Sequence, residues 1–278
     1  MDLSRIFASI RGAWKTPGTL AVVFGIALVG AVCFYLFAPI IALFFRTSPA
    51  LFLTSLKNPV VIESLKLSLI TSAAATLIAV AVGTPAAYLH SRHRYPGKEI
   101  VDVIIDLPLI LPPAVAGVAL LMLWGRMGLL GRYLNLLGFH VAFTTLAVVM
   151  AQLFVASPLY IRQAKELISH LDRSYEQTAR TLGASTGTVF LRIVVPLIGG
   201  GLISAGITTF ARALGEFGAT IMFAGNLSGV TQTMPLAIYS AMQGDFETAI
   251  SISIILVIIS IAIMAAVRLI TRRGEIHA

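Results

Sequence analysis

The sequence is poor in charged residues and in cysteine. Only 12% of its 278 residues are Asp, Glu, Lys or Arg, whereas a soluble domain carries about a quarter, and 58% are hydrophobic. The one cysteine, Cys33, falls inside an apolar run. A disulfide within the chain is therefore impossible, and thiol redox chemistry is excluded as a function. This composition predicts a protein of the lipid bilayer.

Long apolar runs dominate the rest of the chain. A bilayer core of about 30 Å needs roughly 20 apolar residues per helical span. Helices are expected because unpaired backbone amides are costly in hydrocarbon and because the alternation typical of barrel strands is absent. The sequence therefore predicts an all-α integral membrane protein with about six transmembrane helices. The predicted spans are residues 19–45, 64–89, 106–124, 142–161, 193–223 and 248–270.

We expect one transmembrane domain, residues 19–270, between a cytoplasmic N-terminal segment, 1–18, and a cytoplasmic tail, 271–278. The first apolar run exceeds 20 residues and has no cleavage pattern after it, so it is expected to remain as a span.

The net charge of +8 is explained by topology. If the N-terminus is cytoplasmic, fourteen of the 20 Lys and Arg residues lie on the cytoplasmic side, as the positive-inside rule requires. Both termini are therefore predicted to be cytoplasmic, and no nucleic-acid partner is needed to account for the basic charge. The fourteen are Arg5, Arg11, Lys15, Arg92, Arg94, Lys98, Arg162, Lys165, Arg173, Arg180, Arg192, Arg268, Arg272 and Arg273.

A polar segment between the fourth and fifth spans is predicted to form a short helix outside the bilayer. Ser174 and Gln177 have the spacing of a capping box, and Gly183 fits a helix stop. Residues at offsets 0, 3, 4 and 7 share one face, where small side chains would let another protein approach. That face comprises Glu176, Ala179, Arg180 and Gly183. Two interpretations stay open: a docking surface, or a capped connector between two spans.

This segment resembles the EAA loop of ATP-binding-cassette importer permeases, which reads Glu-Ala-Ala, three residues, Gly, nine residues and Ile-x-Leu-Pro. The matching positions are Ala179, Gly183, Ile193 and Pro196, while Gln177 and Thr178 replace the usual Glu and Ala and the acidic residue moves to Glu176. The resemblance implies a type I importer permease with a cytoplasmic coupling helix in a loop at about residues 172–192. It also implies that the ATPase-coupling residues are Glu176, Gln177, Ala179, Arg180, Gly183 and Ala184.

Two ionisable residues, Arg212 and Glu216, stand inside the fifth predicted span. Each costs about 3 kcal/mol in the middle of a span, so both are expected to face protein, a cavity or each other. They are four residues apart and can pair on one helix face. A neutralised pair that fixes packing and a direct contact with substrate both remain open.

The stretch from Phe210 to Thr220, together with residues 106–113 and 231–239, resembles the molybdate-type branch of these permeases, and the whole resemblance covers about residues 60–270. It implies transport of a tetrahedral oxyanion, molybdate or tungstate, with sulfate as the alternative. The implied partners are a second permease copy in a homodimer, two ATPase subunits and an external oxyanion-binding protein. ATP and Mg would bind the ATPase, and this chain would bind no cofactor or metal. The expected pathway residues are Pro112, Pro113, Arg212, Gly215, Glu216 and Thr220.

Two other functions were weighed against transport by an importer. An ion-coupled secondary transporter should carry acidic or His residues in several spans, but Glu216 is the only clear carboxylate in the middle of one. Residues 183–187 match the G-x-S-x-G pattern of hydrolases at Ser185, but every histidine falls in a loop or at a span end. We therefore predict a non-catalytic permease subunit.

The loop at residues 224–247 is expected on the external face, with a short helix at 235–242. It is the candidate docking surface for the binding protein, and an ordinary partly buried connector is the alternative.

Overall fold

A computed structural model describes residues 19–275; the predicted segment 1–18 and residues 276–278 of the predicted tail lie outside the described residues. The chain separates into two compact units, one ending at Ser48 and the other beginning at Pro49. Helix α1 (Thr19–Arg46) lies in the first unit and carries Cys33 with an exposed side chain. The other unit contains the remaining helices and is described by itself.

The helices of the second unit follow one another with short connections. They are α2 (Pro49–Ser55), α3 (Pro59–Arg92), α4 (Lys98–Ile110), α5 (Pro113–Trp124), α6 (Gly131–Leu136), α7 (Thr145–His170), α8 (Arg173–Thr181), α9 (Thr186–Leu197), α10 (Gly199–Leu214), α11 (Gly218–Ala224), α12 (Met234–Ala241) and α13 (Phe246–Glu275).

The predicted all-α membrane fold is confirmed. By length and composition, α1, α3, α7 and α13 could each cross a membrane, and the number rises to six if α4 with α5 and α9 with α10 each form one bent span. The short helix predicted at 235–242 is present as α12.

The prediction of one continuous third span at 106–124 is wrong. Helices α4 and α5 meet at an angle of 114°. Pro112 and Pro113 explain the break, because proline lacks an N–H and holds the preceding residue in extended backbone. Leu111 indeed has φ −63° and ψ 136°.

The fifth predicted span, 193–223, is likewise not one helix. A 76° bend separates α9 from α10, and a second break at residues 215–217 separates α10 from α11. A π-helical turn, Phe190–Val194, lies within α9 and ends two residues before Pro196.

Helices α3 and α7 form the centre of the bundle, and α10 packs against both. One buried cluster joins Ala79 and Ala87 of α3 to Ala164 of α7, all nearly inaccessible to solvent. Small side chains let membrane helices approach closely. Where α3 and α7 end, Ala179 of α8 completes a buried cluster. We call this part of the molecule the α8 end.

Candidate functional site

Helix α8 begins with a side-chain cap. Asp172 is the N-cap residue, and its carboxylate accepts a hydrogen bond from the Ser174 backbone N–H at 2.9 Å. That bond holds the pKa of the Asp172 carboxyl below its usual range. The predicted capping box of Ser174 and Gln177 is therefore wrong by two residues, because the aspartate two positions earlier takes the cap.

The predicted helix stop at Gly183 is confirmed. Gly183 has φ +86°, a conformation that costs a side chain steric strain. Its N–H donates to the Arg180 carbonyl and the Ala184 N–H donates to the Ala179 carbonyl, both at 3.0 Å. This is a Schellman motif, which satisfies carbonyls that the end of the helix would leave unpaired.

The inner face of α8 is joined to α3 by a buried charge pair. Glu176 Oε1 lies 2.6 Å from Arg92 Nε, and each side chain is only 7% exposed. The N–H does not point along this contact, so the pair is an ion pair without a well-directed hydrogen bond. The other carboxylate oxygen accepts a hydrogen bond from the Tyr88 hydroxyl at 2.8 Å.

The predicted coupling residues fall on different sides of α8. Glu176 and Ala179 are buried against the chain itself, whereas Gln177, Arg180 and Gly183 are exposed and Ala184 is half-buried. The small, acidic face is thus not the one open to another protein. A neighbouring face presents Tyr175, 54% exposed, and Leu182, 84% exposed, with Thr178 between them. We call these three residues the outer face of α8.

A second ionic cluster at the α8 end was not foreseen from the sequence. Asp102 of α4 accepts from Lys165 of α7, and the same oxygen lies 2.8 Å from His90 Nε2 of α3. The His90 Nδ1 atom lies 2.5 Å from the Tyr95 hydroxyl. The contact of Asp102 with Lys165, like those of Glu176 with Tyr88 and Arg92, joins residues that are far apart in the sequence. Only the i,i+4 spacing of Tyr88 and Arg92 near the end of a span could have hinted at a shared face.

The predicted pairing of Arg212 and Glu216 is confirmed. Arg212 Nη1 lies 2.8 Å from Glu216 Oε2, and Glu216 is 2% exposed while Arg212 is 36% exposed. The other oxygen of Glu216 accepts from the Ala219 backbone N–H at 2.8 Å. Both carboxylate oxygens are therefore engaged across the break between α10 and α11, which favours the structural interpretation of this pair.

The two helix breaks lie next to each other. A Cβ atom on Gly218, at the start of α11, would stand 2.6 Å from Pro113 Cβ, at the start of α5. One turn along, a Cβ on Gly117 would stand 2.6 Å from the Ala219 carbonyl oxygen. The structure thus brings the predicted pathway residue Pro113 against the start of α11, and the close backbone approach requires the glycines.

The remaining pathway residues divide by exposure. Pro112, Pro113 and Gly215 are exposed and Arg212 is partly so, whereas Thr220 is buried with no hydrogen-bond partner for its hydroxyl. Ser185, the serine of the hydrolase-like pattern, is the exposed N-cap of α9, and its hydroxyl bonds to Thr188. Within residues 19–275, no group of three or more His, Cys, Asp or Glu side chains is placed to hold a metal ion.

Residues 79–275 match the family described as "Binding-protein-dependent transport system inner membrane component". The chain belongs to this family. Membership confirms the predicted importer permease over the secondary transporter and the membrane enzyme.

Individual relatives of this transport family agree with the match. The molybdenum transport system permease protein ModB of Mycobacterium tuberculosis is 40% identical over 229 residues, which cover 82% of this chain and 87% of that protein. A probable sulfate transport system permease protein, cysT, of Chlorokybus atmophyticus is 32% identical over 248 residues, covering 88% and 87%.

A solved structure shares the fold of this permease. It is a bacterial ABC transporter involved in the import of the acidic polysaccharide alginate, with a TM-score of 0.70 and 15% identity, covering 97% of this chain and 99% of that one.

Proposed function

We propose that this chain is the membrane-spanning permease of an importer for molybdate or tungstate, driven by ATP hydrolysis on separate subunits. The observation that carries the proposal is the outer face of α8. Tyr175 and Leu182 expose large apolar surface outside the bundle, on a helix whose other face is buried. Aromatic and apolar side chains of this kind anchor protein interfaces when they enter a pocket on a partner.

The partner on α8 is an ATPase subunit that closes when ATP binds and moves α8 with it. ATP and Mg bind there, and the permease itself carries no cofactor. Because the ATPase lies in the cytoplasm, the α8 end faces the cytoplasm, and so do both termini.

A second permease copy covers the surface that holds the helix breaks. Irregular backbone is not stable against lipid and occurs at membrane depth only where it touches protein or lines an aqueous cavity. Pro112, Pro113 and Gly215 stand exposed at such breaks in the single chain. Their exposure supports a homodimer with the oxyanion pathway between its two copies, bounded by α5, α10 and α11.

The oxyanion class follows from the relatives. Identity to a permease named for molybdenum transport is 40%, compared with 32% for one named for sulfate. At the opposite end from α8, the loop at 224–247 and α12 offer a surface for an external binding protein that selects the anion. The half-exposed Tyr239 of α12 is the apolar centre of this surface.

The test is uptake into proteoliposomes that contain the permease, its ATPase and its binding protein. Molybdate, tungstate, sulfate and phosphate are compared at equal concentration with and without ATP. We expect ATP-dependent uptake of molybdate or tungstate alone. Uptake of sulfate instead would refute the substrate assignment, and uptake driven by an ion gradient without ATP would refute the proposed mechanism.

The docking role of α8 has its own matched test. Leu182→Asp places a charge on the outer face of α8 and is expected to weaken ATPase binding by at least about 1 kcal/mol, a fivefold rise in Kd, as for a central interface residue. Asn135→Ala, at an exposed position of α6, is the control and should bind normally. Equal ATPase binding by both variants would contradict docking at the outer face.

A further inference from the structure

We infer that Glu176 is an internal positioning residue, whose ion pair with Arg92 and hydrogen bond from Tyr88 fix α8 to α3 so that the two helices move as one body. The inference rests on the proposed function, since it specifies how movement applied to α8 by an ATPase would reach the spanning helices. It also assigns the acidic residue of the coupling loop to the permease itself rather than to the ATPase surface.

The first argument is that Glu176 has no oxygen to offer a partner. One carboxylate oxygen lies 2.6 Å from Arg92 Nε and the other accepts from the Tyr88 hydroxyl at 2.8 Å. The side chain is 7% exposed. An ATPase approaching α8 would therefore meet the outer face of the helix and would not reach this carboxylate.

The second argument is that Arg92 joins three helices at one point. Besides its contact with Glu176 of α8, it donates from Nη2 to the Leu171 carbonyl at 3.1 Å. Leu171 is the C-cap of α7, directly before the N-cap Asp172 of α8. The arginine at the end of α3 thus holds both α8 and the corner from which α8 leaves α7.

The third argument concerns charge. Glu176 is the ion-pair partner of Arg92, and the two side chains are buried together. Removing that carboxylate would leave Arg92, itself 7% exposed, buried without a counter-charge. Such a residue is driven towards water, which here means separation of α8 from α3. Apolar contacts of Ala179 alone would not show this dependence on charge.

The experiment measures the mobility of α8 in the full-length permease in lipid nanodiscs. Cys33, the only cysteine, is replaced by serine, and a spin label is attached through Thr181→Cys at an exposed position of α8. A label at Asn135→Cys on α6 is the control. We expect Glu176→Gln to raise the mobile fraction of the α8 label at least about tenfold, because orphaning one charge of a buried pair shifts a local equilibrium by more than that. The α6 label should not change.

A double-mutant cycle separates the ion pair from simple packing. Arg92→Gln together with Glu176→Gln removes both charges and retains two amides that can hydrogen bond. We expect the double variant to hold α8 more firmly than Glu176→Gln alone. Tyr88→Phe removes one hydrogen bond and should have the smallest effect. Wild-type mobility in all variants, or strictly additive effects, would overturn the inference.

A transport measurement then tests the consequence for coupling. In the assembled importer, Glu176→Gln is expected to lower the oxyanion moved per ATP hydrolysed about tenfold, within the usual range of coupling between sites, while hydrolysis continues. An unchanged ratio with a mobile α8 would overturn the role of the pair in coupling. If the wild-type importer moves no oxyanion, the proposed function fails, but the label measurements on the permease alone still decide whether Glu176 fixes α8.

Discussion

Glu176 and Glu216 are both buried glutamates beside an arginine, but they connect different kinds of structure. Glu216 pairs with an arginine one turn earlier and accepts from a backbone N–H three residues later. Glu176 pairs with Arg92 and Tyr88, more than 80 residues away on α3. The first carboxylate therefore shapes a local break between α10 and α11, whereas the second joins two separate elements.

The pair of Glu216 therefore serves the folded structure, and the pair of Glu176 serves the transmission of movement from α8 to α3. A local pair that spans a helix break determines where α11 starts, and the protein is expected to need it in every state. A pair between a docking helix and a spanning helix fixes one element to another. Loss of Glu216 should therefore reduce the stability of the bundle, whereas loss of Glu176 should free α8 locally and so reduce coupling.

The largest effect is expected from Glu216→Ala. The variant orphans Arg212 and the Ala219 N–H, and should lower the free energy of unfolding by about 3 kcal/mol, the lower end for a broken buried pair because over a third of Arg212 is exposed. Thermal unfolding of the full chain in nanodiscs measures it. Arg212→Ala keeps the bond from the Ala219 N–H but leaves the buried Glu216 carboxylate without its counter-charge, so it should lower the free energy of unfolding as well.

Exchanging the charges of Arg212 and Glu216 tests whether the bond to the Ala219 N–H also contributes to stability. Arg212→Glu with Glu216→Arg keeps an ion pair but puts a donor where the Ala219 N–H needs an acceptor. We expect the exchanged variant to remain less stable than the wild type. Full recovery would show that the pair acts only through charge and that the bond to Ala219 is dispensable.

The next effect concerns the approach of α5 to α11. In Gly117→Ala the new methyl would meet the Ala219 carbonyl oxygen and the Met222 Cβ, so the helices must separate at a cost of about 2 kcal/mol. Gly206→Ala is the control, because its nearest neighbour, Val80, is at an ordinary 3.6 Å. Equal melting temperatures for the two variants would show that α11 is not held closely against α5.

A smaller effect on stability is expected at the C-terminal end of α8. Gly183→Ala forces a side chain into a positive φ and should cost about 1 kcal/mol. The helix end would loosen and the α8 amides should exchange with deuterium about fivefold faster. Gly187→Ala, four residues later, is a matched control with open space and no positive φ. Faster exchange in both variants would mean that the Schellman motif is not the cause.

The sequence was sufficient for features that depend on short spacing. Apolar runs located the spans, the four-residue spacing predicted the Arg212 and Glu216 pair, and Gly183 predicted the end of α8. It was not sufficient for the helix breaks, because composition measures how apolar a run is and not where its backbone bends.

The sequence also does not predict pairing between residues that are far apart in the chain. The spacing within α8 puts Glu176 on a face of small residues, but nothing in one sequence indicates that α3 covers that face. The cluster around Asp102 was missed for the same reason. His90, Asp102 and Lys165 come from three different helices, and their proximity depends on how α3, α4 and α7 pack.

The smallest expected effect concerns the start of α8 and depends on pH. The pKa of Asp172 is held below its usual range by the Ser174 N–H, so its cap stabilises α8 fully above the ordinary aspartate pKa of about 3.9 and is lost as the pH falls through the lower folded value. A spin label at Thr181→Cys should therefore become mobile only below about pH 4. In Asp172→Ala the α8 label should be more mobile at neutral pH and should lose this acid response.

Asp245→Ala, which removes a comparable bond to Thr248 at the start of α13, is the control and should leave the α8 label unchanged. An acid response that persists in Asp172→Ala would contradict this role of Asp172 and would assign the response to another carboxylate at the same end, such as Asp102.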